Sequence, residues 1–276
     1  MRGGLNAGMD DLQASLVAVE IAGGIATLWL DRADKRNALS AALMRDLAAA
    51  LDAVRDNAAV RVVVLRGRGP VFSSGIDHGF LMEVMQKARE VPFAHVHHDL
   101  QDVFHRMERM QKPVVAALHK MCVGMALELA LAADVRIATA DCVFGLPEIA
   151  FGIVPDLGGT TRLTREVGPS RARELILTGK MLKARAAERI GLVHEVAEDG
   201  ADLDRRVARA AERLAAHSPV AVGLAKELCR AVADGTDAVS FRLEGVVQQT
   251  LMAQPDLVER FPRALEFIKA RIADAE

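Results

Sequence analysis

The chain has 276 residues, 51% of them hydrophobic, and a formal net charge of −2. This length and apolar content suffice for one large domain with a buried core. The near-neutral charge excludes a general electrostatic attraction for nucleic acids or anionic membranes, and no stretch approaches the roughly 18 uninterrupted apolar residues of a membrane span. The three cysteines form no pairing pattern, which favours reduced thiols and a cytoplasmic protein.

The N-terminal segment is polar and glycine-containing, and it lacks an apolar run of signal-peptide length. We therefore expect residues 1–14 to form a flexible tail. Beyond it, Leu16–Glu20 and Ile25–Leu30 flank Gly23-Gly24, a pair typical of a tight hairpin turn.

The next segment alternates between helix and strand patterns. Ser40 is a good N-cap for an Ala/Leu-rich helix that runs toward Asn57. Arg61–Leu65 is apolar on both faces and predicts a central strand. Small residues in the following loop, 67–77, allow its backbone to approach a ligand closely. This alternation predicts an α/β fold.

An insertion at 79–98 follows this loop. It ends in a histidine-rich tract, 95–99, without a spaced cluster of partner ligands, so we predict no metal site there. Phe80, Met82 and Met85 are expected to line an apolar pocket or the core.

The stretch 112–162 is the most informative part of the chain. Residues 112–118 predict a buried strand, and Val123–Asp134 predicts a short apolar helix that begins through a glycine. Val135–Ala138 predicts the next strand. Only one carboxylate, Glu128, lies inside that helix ahead of Asp134 at its end, and a buried carboxylate is costly unless it is paired or used.

Two further acids follow Glu128. Glu148 comes directly after Pro147, and Asp156 precedes Gly158-Gly159. Three acids with this spacing could converge on one pocket. Asp156 also has a simpler interpretation, because Pro-Asp ahead of Gly-Gly is a good turn sequence.

The remainder of the chain predicts helices. Ser170 is expected to cap a helix at Arg171–Thr178, and a short helix ends at Gly191. We expect the α/β core to span 15–200 and a helical lobe to span 201–276. The later amphipathic segments are Leu203–Ala215, Val220–Ala233, Val239–Ala253 and Asp256–Ile272.

Three motifs together resemble the crotonase family, the enoyl-CoA hydratases and isomerases. They are the Gly-Met-Ala-Leu-Glu-Leu run at 124–129, Phe-Gly-Leu-Pro-Glu at 144–148, and the segment 152–163. The likeness extends from about residue 16 to the C-terminus. It implies a core of repeated β-β-α units with a C-terminal helical lobe.

The resemblance implies catalytic roles for matching residues. The backbone N–H groups of Ile76 and Met125 would form an oxyanion hole. Glu128 and Glu148 would serve as base and acid for the addition of water to a 2-enoyl-CoA thioester. The implied activity is that of an enoyl-CoA hydratase.

The resemblance also implies the partners. The substrate is an acyl-CoA thioester, and no further cofactor is expected because coenzyme A is part of the substrate. Lys35, Arg36, Ser74, Ile76 and Phe267 are the expected CoA contacts, with Phe267 reaching a neighbouring subunit. A homotrimer or hexamer is implied, and no nucleic-acid or membrane partner is expected.

Departures from the family pattern leave two alternatives. Asp156 stands where hydratases carry glycine and dienoyl-CoA isomerases carry aspartate. The second enzymatic hypothesis is therefore an isomerase that converts a 3,5-dienoyl-CoA to a 2,4-dienoyl-CoA with Glu148 and Asp156. Met125 and Ala126 replace glycines, and Leu146 replaces an orienting amide. The non-enzyme alternative is an inactive binding protein of the same fold, which the presence of both glutamates disfavours.

Overall fold

The computed structural model describes residues 15–233 and 235–273, so the tail predicted at 1–14 lies outside the described residues. The strands are β1 (Val17–Ala22), β2 (Ile25–Leu30), β3 (Val62–Gly67), β4 (Val114–Leu118), β5 (Met121–Val123), β6 (Val135–Thr139), β7 (Val143–Gly145), β8 (Leu182–Lys183) and β9 (Glu195–Ala197). The helices are α1 (Ala41–Asp56), α2 (His78–Glu90), α3 (Phe93–Arg109), α4 (Met125–Leu131), α5 (Gly159–Val167), α6 (Pro169–Thr178), α7 (Ala184–Arg189), α8 (Gly200–Ala216), α9 (Pro219–Val232), α10 (Asp237–Met252) and α11 (Leu257–Ala273).

A six-stranded sheet in the order β1-β2-β3-β4-β6-β9 forms the centre of the described chain. β1 and β2 pair antiparallel through the predicted Gly23-Gly24 turn, and both glycines have positive φ. The remaining pairs are parallel. A smaller sheet, β5-β7-β8, lies outside this one.

Both faces of the larger sheet are buried because its central strands are apolar on both sides. Val63, Val114 and Ala116 join the core that includes α1, α3 and α4. Their neighbours in the strands, Val64 and Val115, pack instead with α8. This alternation follows the two-residue period of a strand, and it confirms the predicted α/β class.

The helix α8 belongs with the sheet. Leu203, Val207 and Ala211 on its inner face are buried against the sheet. The predicted boundary after residue 200 would separate α8 from that sheet, so we place the start of the helical lobe at Pro219. The lobe then comprises α9, α10 and α11.

Of two helix N-caps predicted from the sequence, the structure contains one. Ser40 caps α1 by accepting a hydrogen bond from the Leu43 N–H, as predicted. The prediction that Ser170 caps α6 is wrong. The helix begins at Pro169, with Gly168 as its N-cap, because proline at the first helical position needs no N–H partner.

Candidate active site

Glu128 lies on α4, which follows β4 and the short strand β5. Its side chain is only 2% exposed. Gly124 precedes the helix with φ 59° and ψ −134°, a conformation that residues with a Cβ rarely adopt. This glycine turns the chain from β5 into α4 and leaves the Met125 N–H at the first position of the helix, where no intrahelical acceptor exists.

The loop that carries Ile76 lies against the start of α4. Leu39 and Ile76 form an isolated parallel bridge, in which the Leu39 N–H donates to the Gly75 carbonyl and the Asp77 N–H donates to the Leu39 carbonyl. The N–H of Ile76 therefore points away from Leu39. A Cβ on Gly75 would lie 2.6 Å from the Val123 carbonyl oxygen and 3.7 Å from the Met125 nitrogen.

Glu148 begins a short 3₁₀ turn after β7. Its carboxylate lies beside the start of α4, since a Cβ on Gly124 would lie 3.2 Å from Glu148 Oε1. Glu148 Oε2 is buried and has no hydrogen-bond partner among the described residues. Such an oxygen is costly to bury without a partner, which is typical of a group that meets a ligand.

Two backbone amides hold the carboxylate of Glu128. The N–H groups of Leu157 and Gly159 each donate to Glu128 Oε1 at 2.9 Å. A Cβ at position 159 would lie 2.6 Å from that same oxygen. Only glycine therefore allows this backbone to approach Glu128 without displacing it.

Neighbouring acids raise the proton affinity of both glutamates. Burial, then the charge of Glu148, raises the pKa of Glu128 to about 8, although the two N–H bonds oppose this shift. Burial, with a further contribution from Asp156, also raises the pKa of Glu148. These couplings bring Glu128, Glu148 and Asp156 into one electrostatic cluster that retains a proton near neutral pH.

Asp156 is half-buried, and burial raises the pKa of its carboxyl group. Its side chain lies 3.8 Å from His97 Nε2. The backbone carbonyl of Asp156 accepts hydrogen bonds from His97 Nε2 at 2.7 Å and Gln101 Nε2 at 3.0 Å. Neither His97 nor Gln101 was predicted from the sequence as a site residue, although their spacing of four residues puts both on one face of α3.

The expected CoA-binding cations lie next to the Ile76 loop. Lys35 and Arg36 are exposed, and the Ser74 N–H donates to the Arg36 carbonyl at 3.0 Å. Buried Asn37 ties the two loops together, because its side-chain amide donates to the carbonyls of Arg68, Val71 and Phe72. The role of Asn37 was not predicted from the sequence either.

Phe267 lies on α11, distant in sequence from the acids. Its ring packs edge-on against His217, with 5.1 Å between ring centroids. A side chain that is 41% exposed retains surface for a further contact.

Three of the residues that depart from the family pattern are buried. Met125, Ala126 and Leu146 are at most 3% exposed and belong to the main apolar core. The side chains of Met125 and Ala126 therefore pack inward, into the apolar core. Leu146 offers no hydrogen bond to either glutamate.

Several apolar side chains remain exposed on α2 and on the segment that joins two of the acids. Met82 and Met85 on α2 are exposed, as are Phe151, Ile153 and Val154 between Glu148 and Asp156. Phe80 instead packs partly against the core. Exposed apolar surface of this kind is typical of a binding region.

Within residues 15–233 and 235–273, no helix is long and apolar enough to cross a bilayer. The same residues contain no group of three or more His, Cys, Asp or Glu side chains that could hold a metal ion. Cys122 is fully buried, and burial raises the pKa of its thiol well above the ordinary value, so it is an inert core residue.

The chain is similar to known proteins over most of its length. Residues 20–266 match the enoyl-CoA hydratase/isomerase family model. The chain is 37% identical to the crotonyl-CoA hydratase of Syntrophomonas wolfei over 73% of its length and 76% of that protein. It is 33% identical to the short-chain-enoyl-CoA hydratase of Clostridium acetobutylicum over 78% of its length and 81% of that protein.

Solved structures show the same architecture. The enoyl-CoA hydratase from Bacillus anthracis superposes with a TM-score of 0.83 at 30% identity, over 91% of this chain and 96% of the other. The predicted fold, an α/β core with helical C-terminal segments, is therefore confirmed.

Proposed function

Because the chain belongs to the enoyl-CoA hydratase/isomerase family, we propose that it adds water to the double bond of a 2-enoyl-CoA thioester. The observation that carries this proposal is the coupled pair Glu128 and Glu148 beside the start of α4. Buried acids with raised pKa values are typical of acid–base catalysis.

The thioester oxygen gains negative charge as water adds to the β-carbon. In the proposal this oxygen accepts hydrogen bonds from the Ile76 and Met125 N–H groups. Loss of one such donor typically costs about 3 kcal/mol of transition-state stabilisation. The bridge geometry of Ile76 and the first-turn position of Met125 support these roles.

Glu128 and Glu148 share one proton in the reactive state. The ionised carboxylate takes a proton from water while the water oxygen bonds to the β-carbon. The protonated carboxyl gives its proton to the α-carbon, so the product gains one water and the pair again holds one proton. Proton transfer by such a pair typically contributes 10²–10⁴-fold to the rate.

Coenzyme A binds in this proposal as part of the substrate. Lys35 and Arg36 contact its phosphates, and the backbone near Ser74 lies along the part of coenzyme A that leads to the thioester. The apolar residues of α2 and of 151–154 offer surface for the acyl group. Phe267 contributes from a neighbouring subunit of a homotrimer or a pair of trimers.

The direct test uses crotonyl-CoA. Hydration removes the absorbance of the conjugated enoyl thioester and adds the mass of one water, whereas isomerisation leaves the mass unchanged. Turnover of crotonyl-CoA to a hydrated product supports the proposal. Absence of hydrated product across a panel of enoyl-CoA chain lengths would contradict it.

Asp156 supports a second candidate function, the isomerisation of a 3,5-dienoyl-CoA to a 2,4-dienoyl-CoA. Its half-buried carboxyl group couples to both glutamates and could move a proton at the far end of such a chain while Glu148 serves the α-carbon. The hydratase assignment needs only Glu128 and Glu148, with Asp156 shaping the turn before Gly158.

Substitution of Asp156 by Asn separates the two functions. For a hydratase, crotonyl-CoA hydration stays within about tenfold of wild type, which corresponds to about 1.4 kcal/mol or less. For an isomerase, dienoyl isomerisation falls by about 100-fold or more. Asp99→Asn, an exposed acid on α3, is the matched control. Wild type that isomerises dienoyl-CoA but fails to hydrate crotonyl-CoA would reverse our ranking.

A further inference from the structure

One face of α3 holds the loop that follows Glu148. His97 and Gln101, four residues apart, both contact the carbonyl oxygen of Asp156, at 2.7 Å and 3.0 Å. A carbonyl only accepts hydrogen bonds, so His97 Nε2 must carry the proton in this contact. The two side chains therefore act on the same peptide group from the same helix face.

A second contact from α3 reaches the next peptide group. Glu108, seven residues beyond Gln101, binds buried Arg162 through two hydrogen bonds of 2.7 Å. Arg162 in turn donates to the Leu157 carbonyl at 2.7 Å. A paired carboxylate and guanidinium of this form is rigid as well as strong.

The peptide group held by His97 and Gln101 is the one that binds Glu128. Its carbonyl belongs to Asp156 and its N–H belongs to Leu157, and that N–H donates to Glu128 Oε1 at 2.9 Å. The C=O and N–H of a planar trans peptide point in opposite directions. Fixing the carbonyl toward α3 therefore fixes the N–H toward Glu128.

We propose that His97 and Gln101 are positioning residues for Glu128, because they orient the peptide whose N–H holds its carboxylate. The inference rests on the proposed role of Glu128 in proton transfer. Neither side chain is assigned to the substrate or to the reacting atoms. Their hydrogen bonds act on Glu128 through the Asp156–Leu157 peptide, and His97 also faces the Asp156 carboxylate at 3.8 Å.

Release of this peptide changes Glu128 in two ways. The carboxylate loses a fixed direction toward the substrate, which lowers kcat more than it raises KM. It also loses a hydrogen bond that opposes protonation, so its pKa rises further. The charged groups around Glu128 are Glu148 from the turn after β7 and Asp156 from the loop, with His97 facing Asp156 from α3.

The test compares two substitutions that keep shape but remove the donor, His97→Phe and Gln101→Met. In the double variant we expect kcat to fall about tenfold or more, with KM within about twofold of wild type. The alkaline limb of the pH–rate profile is the fall in kcat that occurs where Glu128 and Glu148 lose their shared proton. This limb should move to higher pH. His97→Gln, which restores an N–H donor, should recover most of kcat.

The control is His98→Phe, which changes an exposed histidine of α3 next to His97 in the chain. It should leave kcat and the alkaline limb unchanged. A double variant that keeps both the wild-type kcat and the wild-type alkaline limb would overturn the inference. If the double variant does not fold, the single variants give the same comparison with one donor each.

A readout independent of turnover separates this inference from the proposed function. The pKa of the Glu128 carboxyl can be followed by carbon-13 NMR, with Glu128→Gln to assign the signal. A rise of this pKa in the double variant supports the positioning role even if no enoyl-CoA is hydrated. An unchanged pKa in an active enzyme contradicts the positioning role and leaves the hydratase function intact.

Discussion

At the scale of single residues, Glu128 combines deep burial with an ionisable carboxyl group. Its position within an apolar helix marks it as unusual from sequence alone. Two backbone N–H groups stabilise the carboxylate, yet burial and Glu148 still raise its pKa to about 8. Such a residue is expected to reduce stability in exchange for function.

We expect Glu128→Gln to stabilise the protein at alkaline pH. The folded-state pKa, about 8, lies above the ordinary value of 4.5. Between these values the folded state binds more protons than the unfolded state, so stability falls as pH rises and levels off above about pH 8. The amide cannot ionise but can still accept the Leu157 and Gly159 hydrogen bonds.

The measurement is the free energy of unfolding of both proteins from pH 4 to pH 9. The difference should be near zero below pH 4.5 and grow to at most about 5 kcal/mol above pH 8. Glu212→Gln, an exposed acid on α8, controls for the loss of a charge. A difference that does not vary with pH would contradict the raised pKa.

The same substitution should remove activity. We expect Glu128→Gln to lower kcat for crotonyl-CoA by about 100-fold or more, the usual scale for loss of a general acid or base. Binding of a CoA thioester should change little, because the amide has nearly the same shape. A folded variant with nearly full turnover would exclude Glu128 from the mechanism.

Sequence reasoning predicted the acids but missed the residues that hold them. Glu128, Glu148 and Asp156 stand out because each interrupts an apolar or glycine-rich run. His97 and Gln101 lie 55 to 59 residues away from Asp156 in the chain. Their contact depends on how α3 docks, which the period of a helix alone does not specify.

At the scale of elements, the backbone at the start of α5 lies directly against the Glu128 side chain. We expect Gly159→Ala to lower kcat by about tenfold or more, because the new Cβ would lie 2.6 Å from Glu128 Oε1 and 2.8 Å from Glu128 Cγ. Gly200→Ala is the matched control, since a Cβ there meets nothing within 4 Å. Steady-state kinetics and a thermal melt of both variants separate displacement of Glu128 from loss of folding.

Long elements were predicted more accurately than short ones. The hairpin around Gly23-Gly24 and the helix after Ser40 extend over enough residues to show a period and a cap. The smaller sheet was not predicted, because β5, β7 and β8 are two or three residues long. No hydrophobic period can be read from so few positions.

At the scale of the whole molecule, the lobe formed by α9, α10 and α11 leaves apolar side chains uncovered. Helix α10 has no buried residue, and Val239, Phe241, Val246 and Met252 on it are each more than half exposed. Exposed apolar surface on neighbouring helices is typical of a subunit interface. This observation supports the proposed oligomer.

We therefore expect Phe241→Glu to weaken self-association, because it would bury an unpaired charge in the interface. Molar mass from light scattering after size exclusion should fall toward that of one chain, 29.7 kDa. Val19→Glu on exposed β1 is the control and should leave the mass unchanged. A wild-type protein that already elutes as one chain would contradict the proposed assembly.

The order of the larger sheet has a consequence for biosynthesis. Its strands lie side by side in the order in which a ribosome makes them, β1, β2, β3, β4, β6 and then β9. Each emerging strand can therefore add to an edge that already exists. Helix α8, which covers the face lined by Val64 and Val115, emerges after all six strands, so that face stays bare until about residue 216 has left the exit tunnel. A nascent chain halted between β9 and the end of α8 should bind chaperones and aggregate more readily than one halted after it.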